Sequence, residues 1–166
     1  MNAGRATHRN KGAVGKRIRC AIVVSRFNGV VTRKLLAGAM ACLKDHDIKR
    51  SDVKIFRCPG AFELPQVANT IALTGEWDVV ICLGAVIRGE TAHFEYVSAE
   101  AARGIQDVAL RHGLPVVFGV LTTDTKEQAL ARAGGTQGNK GCDAALAALE
   151  MVSLLKSLKS RKKRER

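Results

Sequence analysis

The stretch VIRGETAHFEYV, Val86 to Val97, sets Arg88, Glu90, Thr91 and His93 within six residues, directly after the apolar run DVVICLGA. Polar side chains at that density on the end of a buried strand are unusual for a linker. His93 stands where a helix is about to begin. There the helix dipole opposes an imidazolium and favours the neutral ring, which can take up and return a proton. That is the requirement for general acid–base catalysis, with simple packing as the plainer alternative. The other histidines read differently. His8 lies in a loose N-terminal segment, while His46 and His112 fall near helix C-termini, where a structural role is expected.

A second constellation is RAGGTQGNKG, residues 132–141. Arg132 closes one helical segment, Lys140 nearly opens the next, and glycines lie between. The lysine is followed by Gly141 and a helix precedes, so this is no Walker motif. It reads either as a solvated turn or as a phosphate site made of two cations, backbone amides and a helix N-terminus. Thr91 could add a hydroxyl. Cys58 invites pairing with His93 as a nucleophile, but nothing supplies an orienting third group.

These residues need a scaffold. Apolar runs at 18–24 and 78–86 read as buried strands, the alternating 52–58 as a third and 115–123 as the fourth main strand. Helical periodicity marks 32–47, 64–75, 93–113, 126–133 and 142–158, with Gly113 closing the third helix. Strands alternating with helices predict right-handed crossovers and a three-layer α/β/α sandwich around a four-stranded parallel sheet. In such a sheet every strand-to-helix loop leaves from one edge, where ligands bind. Those loops read SRFNG, PGAFE, IRGETAH and TTDT. Phe27 could staple a helix or form a stacking wall; Glu63 could favour a helix start or accept hydrogen bonds from a hydroxyl-rich ligand.

Composition narrows the class. The chain has 166 residues, 46% of them hydrophobic, which suits one compact domain. No apolar run approaches a membrane span, and nothing near the N-terminus reads as a secretory signal. Five cysteines without C-x-x-C spacing argue against a metal site or disulfide framework and for a reducing, cytoplasmic compartment. The net charge of +12 belongs to the ends: residues 1–19 and 156–166 each contribute +6, and the body between them is neutral. Expected segments are a basic, flexible 1–17, a domain over 18–158 and a basic tail over 159–166. The ends read as solubilising, or as weak, salt-sensitive polyanion binders.

Taken together, SRFN, PGAFELP, GAVIRGETAHFEYV, FGVLTT and EQALARAGGTQGNKG closely resemble the lumazine synthase family over about residues 18 to 158. The resemblance implies a flavodoxin-like strand order and a penultimate step of riboflavin synthesis. In that step 5-amino-6-(D-ribitylamino)uracil condenses with 3,4-dihydroxy-2-butanone 4-phosphate, releasing phosphate and water, with no metal or redox cofactor. It implies that Phe27 stacks on the pyrimidine, and that Ala61, Phe62 and Glu63 hold the ribityl side and ring edge. Ala85, Val86 and Ile87 would offer backbone contacts, and Glu90 and Thr91 would lie beside the phosphate-bearing substrate. Arg132 would bind that phosphate, His93 would transfer protons, and Lys140 would sit near the reacting centre.

Two positions depart from the family pattern. Ala92 stands where some relatives have a second threonine, and GGTQGNKG replaces the common GTKAGNKG; activity is expected to survive both. The resemblance further implies pentamers, in some members twelve of them in an icosahedral shell, with sites between subunits. One subunit would supply Phe27, 61–63 and 85–93, and its neighbour Phe118, Arg132 and Lys140. The short turn between Arg132 and Lys140 is similar to that of shell-forming members, and riboflavin synthase is an implied partner. Two other readings stand beside this one: a polyanion-binding shell or scaffold with vestigial catalytic loops, and an archaeal-type riboflavin synthase. The dismutation catalysed by the latter uses no phosphate substrate.

Overall fold

The computed structural model describes residues 17–164, and side chains as far as Arg161. The expected basic segment 1–17, His8 included, lies outside the described residues except for Arg17. Four parallel strands form the sheet: β1 (Cys20–Ser25), β2 (Val53–Cys58), β3 (Val79–Ile87) and β4 (Val116–Thr123), in the order β2-β1-β3-β4. The helices are α1 (Gly29–Asp45), α2 (Leu64–Leu73), α3 (His93–His112), α4 (Lys126–Ala131) and α5 (Lys140–Arg164). The expected sandwich and flavodoxin-like order are therefore present.

The two layers follow from side-chain alternation along the strands. Ile81, Leu83 and Ala85 of β3 pack with α1 and α5, whereas Val80, Cys82 and Val86 pack with α2 and α3. A central strand covered on both faces must be apolar throughout, and Val79 to Val86 are all buried. β1 is equally enclosed. β4 is an edge strand paired only with β3, and its outer flank stays open. That open edge lines one of two surface clefts.

Two differences from the expected elements have clear causes. Between α4 and α5 the chain makes a small antiparallel hairpin, β5 (Ala133–Gly135) and β6 (Gly138–Asn139), rather than an irregular turn. Gly134 and Gly138 adopt φ of 105° and 75°, values that glycine reaches without a Cβ penalty. The residues expected as a separate basic tail instead continue α5 as far as Arg164. Leu, Lys and Arg are good helix formers, so the charge run does not stop the helix.

α5 begins against α1 at very close range. A Cβ on Gly141 would lie 2.0 Å from the Leu35 carbonyl oxygen. Only glycine allows this approach, which places Lys140 beside the sheet.

Candidate active site

The first cleft is built from three loops and the start of α3. After β1, Arg26 and Phe27 donate backbone hydrogen bonds to Cys58 O and Pro59 O, each at 2.9 Å, extending the β1–β2 pairing past the strands. Asn28 then turns the chain at φ 55°, and its Nδ2 donates to Ala85 O at 2.9 Å. Phe27 is thereby held outward, 70% exposed, at the rim. Glu63 Oε2 accepts from Gly60 N–H at 2.8 Å, folding the PGAFE loop onto itself. Ala61 is buried below, while Phe62 is exposed.

Ala85, Val86 and Ile87 form the floor, and His93, Phe94, Tyr96 and Val97 close the α3 side, enclosing about 500 Å³. Four aromatic rings around an open, largely apolar slot suit a flat heterocycle. Glu63 is the carboxylate in its lining.

His93 is the first residue of α3 and lines this cleft. Its backbone N–H donates to Thr91 Oγ1 at 3.4 Å, so Thr91 helps to start the helix. Glu90 and Thr91 are exposed and line neither this cleft nor the next. Arg88 braces the same turn, donating to Glu95 Oε1 at 2.6 Å and to Asp124 Oδ1 at 2.8 Å. Those hydrogen bonds, Glu95 first, push the pKa of its guanidinium above the ordinary arginine value.

The second cleft, about 440 Å³, runs along the open edge of β4. Val117 to Thr123 form one wall, with Phe118 41% exposed. Arg132, Lys140 and Asp143 supply its charges. Arg132 Nη1 donates to Gln128 O at 3.1 Å, and Lys140 Nζ lies 2.7 Å from Asp143 Oδ2. The hairpin holds the two cations together through Lys140 N–H to Arg132 O at 2.8 Å.

One part of the sequence reading needs correction. Asn139 Oδ1 accepts from Gly141 N–H at 2.8 Å and from Cys142 N–H at 3.3 Å, capping α5. These two amides are thus engaged within the chain, and the Arg132 and Lys140 side chains are the charged donors beside them. On a single chain His93 and Arg132 line different clefts, and the two linings share no residue.

The remaining candidates resolve simply. Burial first, and Glu63 second, push the Cys58 thiol up to about 11, and Cys58 Sγ donates to Gly60 O at 3.3 Å. It is no activated nucleophile. His46 Nδ1 sits 2.9 Å from Cys42 O and His112 Nε2 2.8 Å from Asn69 Oδ1, both structural contacts. Among the described residues no group of three or more metal-ligating side chains could hold an ion, and no helix is long and apolar enough to cross a membrane.

Sequence reasoning missed Asn28, Tyr96, Asn139 and Asp143. Asn139 was detectable as a helix cap directly before Lys140, and Asp143 as an i,i+3 partner of that lysine. Tyr96 is one turn on from His93, so it shares that side of the helix.

A family model described as 6,7-dimethyl-8-ribityllumazine synthase matches residues 17–156. A protein of that name from Chlorobium luteolum is 53% identical over 131 residues, covering 79% of this chain and 84% of its own length. Another, from Anaeromyxobacter sp. strain K, is 54% identical over 132 residues, covering 80% of this chain and 82% of its own length. With four-fifths of its length aligned at this identity, the chain belongs to the 6,7-dimethyl-8-ribityllumazine synthase family.

Proposed function

We infer that this chain condenses 5-amino-6-(D-ribitylamino)uracil with 3,4-dihydroxy-2-butanone 4-phosphate, and that its two clefts are complementary halves of one site completed between neighbouring subunits. The single observation carrying this reading is the division of labour between the clefts. One has aromatic walls, a carboxylate and an imidazole; the other has two cations along an open strand edge. The reaction needs a platform for a heterocycle, an anchor for a phosphate and a proton carrier at the same place.

The chemistry can be assigned on that basis. Phe27 stacks on the pyrimidine, while Ala61, Phe62 and Glu63 receive the ribityl side and ring edge and Ala85 to Ile87 offer backbone contacts. The substrate amine attacks the ketone and water leaves, giving an imine. Phosphate then departs, and the enol formed tautomerises, closes the second ring and loses a second water. His93 carries protons through these steps, a contribution on the order of 10²–10⁴-fold. Arg132 holds the phosphate and favours its departure, with Lys140 beside the reacting centre. Holding two reactants in register can itself supply roughly 7–11 kcal/mol.

Glu90 and Thr91 are assigned to the phosphate-bearing substrate because they follow β3 on the same edge as His93. In this reading they complete the site only when the neighbour's Phe118, Arg132 and Lys140 arrive.

A pentamer is the smallest assembly proposed, with twelve pentamers in a shell as the larger form; the short hairpin between Arg132 and Lys140 supports the latter. A cytoplasmic location suits five free thiols. Riboflavin synthase is the proposed partner that consumes the product. The basic end of α5, with exposed Lys156, Lys159 and Arg161, supports weak polyanion binding that collapses as salt rises. No observation favours a vestigial scaffold or a lumazine dismutase.

Mixing the two substrates with purified protein tests the function. Lumazine fluorescence and free phosphate should appear together, and no riboflavin should form from lumazine alone. Absence of both products from a correctly assembled protein overturns the reading.

A further inference from the structure

Arg88 follows β3 directly and lines neither cleft, yet it touches the supports of both. Its Nη1 donates to Glu95 in the first turn of α3, the turn that also bears His93. Its Nε donates to Asp124, in the turn between β4 and α4. The guanidinium carbon lies 4.2 Å from the ring centre of Phe94, which lines the first cleft. Its backbone N–H adds a step to the β3–β4 pairing, donating to Thr123 O at 2.9 Å.

The contacts continue toward the second cleft. Asp124 N–H donates to Gln128 Oε1 at 2.9 Å, and Gln128 O accepts from Arg132 Nη1 at 3.1 Å. An unbroken path thus runs from the His93 helix through Arg88, Asp124 and Gln128 to Arg132.

We propose that Arg88 is a positioning residue that sets the first turn of α3, and with it His93, relative to the segment carrying Arg132. This inference rests on the roles assigned to His93 and Arg132 above. Exposed ion pairs add little to stability, so holding Arg88 in this arrangement is a matter of geometry. Two carboxylates on separate elements and a stacked ring together fix the plane of one guanidinium. Lysine, a point charge on a flexible stem, meets only part of that demand. Where each site is built from two chains, Arg88 therefore acts on two sites at once.

The test is steady-state kinetics on Arg88→Gln and Arg88→Lys, varying each substrate in turn, with assembly checked by sedimentation. Arg88→Gln should lower kcat about tenfold, because misplacement by about an ångström costs up to about 10²-fold. KM for the butanone phosphate should rise while KM for the pyrimidine stays within about twofold, since Phe27 and Glu63 stand on other loops. Arg88→Lys should recover part of the loss. Adding Glu95→Gln to Arg88→Gln should cost nothing further, as expected of a shared interaction. An assembled Arg88→Gln protein with kcat within about twofold of the parent, or with equal KM increases for both substrates, overturns the proposal. If that variant does not assemble, Asp124→Asn must give the same split at smaller amplitude, and its absence overturns the proposal equally. His93→Ala and Arg132→Ala run in parallel separate the two ideas. Full activity in these two overturns the site assignment, whereas losses in them beside unaffected Arg88 variants overturn only the positioning role.

Discussion

The side-chain amide of Asn28 donates a 2.9 Å hydrogen bond to the carbonyl oxygen of Ala85, joining the loop after β1 to the end of β3. Residues 57 positions apart in sequence thereby become neighbours beneath the cleft. The bond holds Phe27 outward over the floor formed by Ala85 to Ile87.

Asn28→Gly keeps the left-handed backbone but removes this tie. A net hydrogen bond contributes about 0.5–1.5 kcal/mol, so pyrimidine affinity should fall by up to about tenfold. Asn28→Ala should also lose stability, because alanine is strained at a φ of 55°. Calorimetric titration with the pyrimidine substrate measures the first effect and thermal unfolding the second. Equal stability of the two variants would contradict the strain argument.

Arg132→Ala should weaken the phosphate substrate selectively. Hydrogen bonds involving a charged group contribute about 1.5–3 kcal/mol, hence a KM increase of roughly ten- to a hundredfold for the butanone phosphate. Pyrimidine binding should persist. Parallel losses for both substrates would count against Arg132 as the phosphate anchor.

His93→Ala should slow turnover by about 10²–10⁴-fold with assembly and substrate binding retained. Stopped-flow measurement of lumazine formation reads the rate directly, and an unchanged rate removes the imidazole from the mechanism.

Gly141→Ala probes the α1–α5 contact. The added carbon would meet the Leu35 backbone at 2.0 Å, an overlap that backbone movement must relieve. Overpacking of this kind typically costs about 1–3 kcal/mol. The denaturation midpoint should fall, and Lys140 should be displaced, lowering activity as well. A variant as stable as the parent would mean that the helices separate freely.

Alkaline pH should destabilise the fold through its buried thiols. Burial, the largest cause in each case, pushes Cys20 and Cys42 up to about 12 and Cys58 up to about 11, against the usual 9.0. Above pH 9 the unfolded chain releases these protons while the folded chain retains them. Unfolding is then increasingly favoured as pH rises toward the folded values, and stability contributed by the neutral thiols is fully present below pH 9. Denaturation midpoints at pH 8, 9, 10 and 11 should decline over the last three, less steeply in Cys58→Ala. By the same reasoning, alkylation of the native protein at pH 8 should spare Cys58 and leave activity intact.

Much of the architecture was legible in local patterns. Apolar runs such as DVVICLGA and helical periodicities such as that of 93–113 depend on near neighbours in sequence, so the four strands and five helices could be read within a few residues. His93 was also legible, because the end of an apolar run and the start of a helical period together place it at the ligand edge. Helix extent was less so: the run from Lys159 looked like a tail because its charge is conspicuous, although its residues favour helix.

Tertiary structure decided how those pieces meet. The tie from Asn28 to Ala85, the seat of Gly141 on Leu35 and the clamp from Arg88 to Asp124 join residues far apart in sequence. No periodicity or propensity encodes such contacts; they depend on the path that the crossovers impose. The same path leaves one flank of β4 unpaired and sends His93 and Arg132 to separate clefts. Residue types and spacing marked which side chains could do chemistry, and the three-dimensional course of the sheet decided that one chain carries them in two separate clefts.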